Sequence, residues 1–230
     1  MRKNFIIGII IVALVGVISV KSLAADKMID KFGEWGKTLK EYVVQEEPQT
    51  LDVSNIVYSL TAVKGVNTSV EKVTKDDIYM IGSKSLITKS EIELAQKFYE
   101  ISGSDKKTAK EEAEQYQKQE NALYSKALEE GYTVTDEEVN QYLKFLKQTL
   151  LEAENKKDIE SIIKAYGSED EYWDYMFKVY QKDLPIQKYV STLENDYAKQ
   201  LGMDKSSEEF QKYWDTKFEK IKNDLVNEES

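Results

Sequence analysis

The sequence predicts a mainly α-helical protein: a multi-helix body with a small β-hairpin near its start, preceded by an N-terminal export or anchor helix. Three observations predict it. Pairs of a hydroxyl residue and a glutamate three positions later recur at Thr88/Glu91, Thr135/Glu138, Ser168/Glu171 and Ser206/Glu209, the spacing that satisfies orphan backbone donors at a helix start. Glycines stand where the intervening helices would stop, at Gly103, Gly131, Gly167 and Gly202. Between these marks, apolar side chains return at intervals of three and four residues.

The clearest corner is G-Y-T-V-T-D-E-E-V-N-Q-Y-L-K-F-L, residues 131–146. Thr135 and Glu138 form the capping pair, and Val134 and Val139 flank it as a hydrophobic staple. Asp136, Glu137 and Glu138 place negative charge at the positive end of the helix dipole. I-T-K-S-E-I, residues 87–92, repeats the pattern with Ile87 and Ile92 as the staple.

Read in order, the chain divides into residues 1–25, 26–76 and 77–230. Arg2 and Lys3 precede sixteen apolar or small residues, Phe5 to Val20, and then Lys21 and S-L-A-A. This is an export segment, either a cleaved signal peptide or a retained membrane anchor, and in both cases it puts the body outside the cytoplasm. Met28, Ile29, Phe32, Trp35, Leu39 and Tyr42 then recur at helical intervals up to Pro48, marking a short amphipathic stalk or docking helix that Gly33 and Gly36 weaken. Residues 51–76 are rich in β-branched side chains, consistent with short strands or irregular structure.

From Asp77 onward a hairpin turning through Gly82 leads into helices from Thr88 to Gly103, from about Asp105 to Glu130, from Thr135 with a break near Asn155 to Lys157, from Ser168 to Gly202, and from Ser206. Pro185 lies inside the fourth, where it removes a backbone donor, so a kink or restart is expected. Asn227 to Ser230 read as a polar tail.

Composition narrows function. The 230 residues are 41% hydrophobic and 32% charged, and contain no histidine and no cysteine. That removes Ser-His-Asp and Cys-His catalysis, imidazole or thiolate metal sites and disulfides, and no cofactor is expected. The 42 acidic residues form many close pairs by chance, so paired carboxylates are read as solvated helix faces. The net charge is −10, and without the three cations Arg2, Lys3 and Lys21 the remainder carries −13, which argues against nucleic-acid binding.

A-L-Y-S-K-A-L-E-E-G-Y-T-V-T-D-E-E-V-N-Q-Y-L (Ala122 to Leu143), Y-G-S-E-D-E-Y-W-D-Y-M (Tyr166 to Met176) and I-Q-K-Y-V (Ile186 to Val190) together resemble the SurA N-terminal chaperone domain. The PrsA and trigger factor chaperone cores look similar, and I-G-S-K-S-L-I-T-K-S-E-I (Ile81 to Ile92) resembles that family's strand, turn and first capped helix. The resemblance extends from about Asp77 to Leu225. It implies a helical extracytoplasmic chaperone whose late helix returns onto the early ones and leaves an apolar cleft for unfolded chains. Two departures stand out. Relatives often insert a parvulin isomerase domain before the last helix, yet here Gly202 is followed almost at once by Ser206, and the histidines of a parvulin site are absent. Relatives also often end in a short strand, for which residues 227–230 are too polar.

The candidate client-binding residues are Tyr172, Trp173, Tyr175, Met176, Phe177, Tyr180, Tyr189, Tyr213, Trp214 and Phe218, with Phe210 beside them. Rings of this size also build cores, each burying ~150 to 250 Å². Tyr172, Trp173, Tyr175, Met176 and Phe177 cover more than one face of a helix, which is then either enclosed on several sides or open to a partner. The leading expectation is an ATP-independent holdase for unfolded or exported polypeptides, reaching the membrane through residues 1–25 if these are retained. The alternative is a cell-surface interaction subunit that docks one dedicated folded partner without catalysis.

Overall fold

The computed structural model describes residues 32–41, 77–151 and 156–229. Residues 1–31, which include the stretch read as an export segment, residues 42–76 and residues 152–155 lie outside the described residues; of the break expected near Asn155 to Lys157, Lys156 and Lys157 are already helical. The architecture is mainly helical with one two-stranded antiparallel hairpin. Residues 32–41 are helical (α1). They are followed by β1 (Ile78–Ile81), β2 (Leu86–Thr88), α2 (Lys89–Ser102), α3 (Lys106–Glu129), α4 (Asp136–Leu151), α5 (Lys156–Tyr166), α6 (Glu169–Leu201) and α7 (Glu208–Glu229).

The caps form where the spacing places them. Thr88 Oγ1 accepts from the Glu91 amide while the Glu91 carboxylate accepts from the Thr88 amide at 2.7 Å. The same reciprocal pair joins Thr135 and Glu138 at the start of α4. Asp105 caps α3 by accepting from the Lys107 and Thr108 amides. Gly103, Gly131 and Gly202 follow their helices with φ of 117°, 85° and 64°, the left-handed region that a side chain disfavours.

Three readings change. The cap of α7 is Ser207, whose hydroxyl accepts from the Phe210 amide, because Asp204 engages Ser206 in its own turn through the amide and hydroxyl. Of the kink or restart expected at Pro185, the restart does not occur: α6 continues through it as one helix. An interior proline costs ~3 kcal/mol, and here packing on both sides of the position outweighs it, with Leu184 in one core and Tyr189 in the next. Residues 227–229 are the end of α7 and not a tail.

The main core gathers Phe32, Trp35 and Leu39 of α1, Phe98 of α2, the Val139–Leu143–Leu146–Leu150 stripe of α4, Ile159, Ile162 and Tyr166 of α5, and the first half of α6. The stretch read as a stalk or docking helix therefore docks over residues 32–41. Gly36 makes this possible: a Cβ there would run into the Ile162 carbonyl and lie 2.8 Å from Ala165 Cβ, so α1 and α5 meet backbone to backbone. A second core joins Ala122, Leu123 and Ala127 of α3 to Tyr189 and Leu225. A third seats the hairpin on α2 and α3 through Ile87, Ile92, Ala95 and Ala113.

The hairpin turn is fastened from two sides. Ser85 Oγ donates to the buried Asn121 Oδ1 at 2.6 Å and lies 3.1 Å from Ser125 Oγ on α3. The Glu229 carboxylate accepts from both the amide and the hydroxyl of Ser83 at 2.6 Å, so the end of α7 reaches the turn. A Cβ at Gly82 would meet the tips of the Asn121 and Glu229 side chains, which would have to shift to admit it.

Candidate functional site

The structure separates the candidate client-binding residues into two groups. Tyr172, Trp173, Met176 and Tyr180 are buried in the main core. Tyr175 and Phe177 are half-buried and pack against that core, and Tyr189 is buried in the second. The surplus of apolar faces on the first half of α6 is thus accounted for by enclosure: α1, α4 and α5 surround it, and no open trough is needed to explain it. Burial pushes the Tyr172 and Tyr180 hydroxyls far above the ordinary tyrosine range, and neither hydroxyl has a hydrogen-bond partner among the described residues.

The second group lies where the last third of α6 turns back at Gly202 into α7. Phe210, Trp214 and Phe218 occur at successive four-residue steps and stack nearly parallel, Phe210 on Trp214 at 6.5 Å and 8°, Trp214 on Phe218 at 5.3 Å and 14°. Tyr197 of α6 faces them at 6.1 Å from Phe210 and 6.3 Å from Trp214. Few backbone positions of α6 and α7 approach each other, so rings rather than close helix contact fill the space between them. Phe210 and Trp214 form the floor, while Tyr197, Met203, Phe218 and Ile221 remain half-buried around it. Tyr213 is 51% exposed beside Phe210, and Leu201, one turn beyond Tyr197, is exposed as well. Lys217 sits over the Tyr197 ring and Lys222 over the Phe218 ring, so cations rim the apolar strip.

Tyr197 was readable only as a helix position. Its place in the seam depends on the reversal at Gly202, which sets Tyr197 opposite Phe210 across a connection of six residues between α6 and α7. A smaller apolar edge was missed as well: Tyr142 packs edge-on to Tyr180 at 4.9 Å, and Phe145 beside it is 48% exposed.

A polar recess, also missed, lies where the middle of α6 crosses α2 and α3. Protein surrounds Lys182 closely, yet a quarter of its side-chain surface stays open, as expected for a group on the wall of a narrow cleft. Its Nζ lies 3.7 Å from Glu91 Oε1. Burial acts to lower the Lys182 pKa, but Glu120, Glu91 and Asp183 together outweigh it and hold the ammonium charged. Burial and then the charge of Glu120 push Asp183 well above the carboxylate range. Acidic groups from three helices meet one ammonium here, and what the recess offers is hydrogen bonding and charge.

Among the described residues no group of acidic side chains is arranged to hold a metal ion, and no helix is long and apolar enough to cross a membrane. Comparison with protein families, with curated proteins and with solved structures finds no match for this chain.

Proposed function

We propose that this chain is an exported, ATP-independent polypeptide-binding module, a holdase of the kind its sequence resemblance to the SurA N-terminal domain implies, and that it has no catalytic role. The observation that carries the reading is the α6–α7 seam: Phe210 and Trp214 are buried as its floor, Tyr197 and Phe218 stand half-buried along its edges, and lysines flank it. Such a strip offers apolar area with few directional demands, which suits extended clients of varied sequence. The Phe5–Val20 stretch supports a place outside the cytoplasm, where no nucleotide drives release and clients leave by equilibrium. Clients therefore meet the seam and the exposed Tyr213, while Tyr172, Trp173, Met176, Tyr180 and Tyr189 serve the cores.

The test is aggregation of chemically denatured clients diluted into the purified full chain without ATP. Light scattering should fall as the chain approaches equimolar amounts, across several unrelated clients. Unchanged scattering at several-fold molar excess would sink the reading.

A dedicated interaction subunit is the second reading, and one observation favours it. Tyr79 and Ile81 project from the same face of β1 and are both exposed, a compact apolar pair on a rigidly fastened hairpin. Affinity for one folded partner, lost in a Tyr79→Ser, Ile81→Ser double variant and unaffected by unfolded competitors, would decide for it.

A further inference from the structure

The two ends of α7 are held by different kinds of contact. At the far end the Glu229 carboxylate accepts from the Ser83 amide through Oε2 and from the Ser83 hydroxyl through Oε1, both at 2.6 Å. In the middle, Asn223 Oδ1 accepts from Gln115 Nε2 at 3.2 Å and from Gln119 Nε2 at 3.1 Å, two amides one turn apart on α3, and Leu225 is buried beside Ala122 and Leu123 of the same helix. At the near end rings make the hold on α6, with Phe210 and Trp214 against Tyr197 and Ala198 buried among them. Apolar contact is non-directional and tolerates sliding, whereas hydrogen bonds to a carboxylate fix position. The place of the rings against α6 is therefore set from the other end of the helix. At about 1.5 Å per residue, Phe210 lies roughly 20 Å from Asn223 on one side and Glu229 roughly 9 Å on the other, so a shift at Glu229 moves Phe210 about twice as far.

We propose that α7 is a lever, pivoted at Asn223 and buckled at the hairpin turn. While Glu229 grips Ser83, the floor of the seam stays shut; when the grip is released, the near end of α7 swings off Tyr197 and bares Phe210 and Trp214. The short connection through Gly202, whose φ of 64° already lies in the left-handed region, absorbs the swing. Ser83 is exposed, so the grip is open to competition. A competitor stands beside it: Glu129 Oε1 lies 3.4 Å from the Ser83 hydroxyl, and Lys126, 3.6 Å from Glu129, holds that carboxylate at the turn. A hydroxyl has one proton to give, so turning it from Glu229 to Glu129 loosens α7 while the hairpin stays fastened to α3 through Ser85 and Asn121. Where the seam holds clients, the lever sets how much of its floor they meet.

The chain has no cysteine, so a single introduced thiol reports one place. The experiment measures how fast a small maleimide labels Met203→Cys in the full chain, with and without Glu229→Ala; Met203 packs half-buried against Phe210 and Trp214. Release of the grip should speed labelling about five-fold, the weight of one solvent-exposed hydrogen bond to a charged group. Met176→Cys, in the main core, should label no faster after the same change, and Asp224→Ala, which removes an exposed acid of α7 that does not grip Ser83, should leave the Met203→Cys rate as it was. An unchanged rate at Met203→Cys, or equal acceleration at both thiols, overturns the lever. If a thiol variant does not fold, acrylamide quenching of Glu229→Ala decides through the three native tryptophans. Trp214 alone should become more accessible while Trp35 and Trp173 of the main core stay shielded; all three responding alike, or none, overturns the lever. Neither readout involves a client, so the lever and the holdase reading fail separately.

Discussion

The two ends of α6 both pack against aromatic rings and meet opposite fates. Its first third puts Tyr172, Trp173, Met176 and Tyr180 among α1, α4 and α5, and all four are sealed. Its last third puts Val190, Leu193 and Tyr197 against α7, and every one of these stays half-buried. Ring content does not decide these fates; the number of helices around each end does. A helix enclosed on three sides buries most of its large side chains, here leaving Tyr175 and Phe177 half-buried, whereas a helix in a two-membered arm leaves the flanks of its seam to solvent. The open surface therefore lies at the Gly202 turn and not at the tyrosine-rich start of α6.

The largest test of this contrast is Trp35→Ala. Trp35 packs edge-on to Phe32 at 5.0 Å and to Phe98 at 6.1 Å, and it covers the first third of α6 from the α1 side. Its loss should destabilise by about 4 kcal/mol in chemical denaturation, even though the indole N–H has no partner to lose. A cost below about 1 kcal/mol would mean that α1 is dispensable and that the first third is more open than it looks. Phe210→Ala should cost less, about 3 kcal/mol, because the half-open seam can collapse onto Trp214 while a closed core cannot. Equal costs would erase the distinction between the two ends.

Pro185 marks the joint between them. Replacing it with alanine restores the backbone donor missing from the helix interior, a gain of ~3 kcal/mol. It also removes two buried methylenes, a loss of about 1.6 kcal/mol. Pro185→Ala should therefore stabilise by roughly 1.4 kcal/mol, read as a higher denaturation midpoint. Destabilisation instead would show that the two ends need the helix axis that proline imposes.

How much of this could be read in advance follows the range of the interactions. Thr88/Glu91, Thr135/Glu138, Gly103 and Gly202 act within one helical turn, so their spacing in the chain determined the outcome. Pro185 is the counter-example, where local chemistry asks for a break and packing from distant helices overrides it. Gly36 read as a weakness in a helix, because the Ile162 carbonyl that requires it is more than a hundred residues away in the chain. The same distance hid the recess: Glu91, Glu120 and Asp183 lie on three helices, and no spacing in one of them announces the other two. Tyr172, Trp173 and Met176 were correctly marked as more than one face of a helix. Only the number of enclosing helices, unknowable from that segment, could say whether those faces were closed.

The smallest effect on stability belongs to Tyr213→Ser, and it bears most directly on function. Tyr213 is 51% exposed and carries no core contact that its removal would break, so the change should stay within about 0.5 kcal/mol. If the seam at the Gly202 turn holds clients, the same variant should need a two- to three-fold higher concentration to suppress client aggregation by half, about the loss expected from one rim tyrosine. Phe145→Ser makes the paired measurement, since Phe145 is similarly exposed at 48% but lies on α4, beside the sealed end of α6. Loss of activity in Tyr213→Ser alone locates client binding at the open end. Loss in Phe145→Ser alone would move it to the α4–α6 edge, and with it the claim that enclosure decides where this molecule can bind.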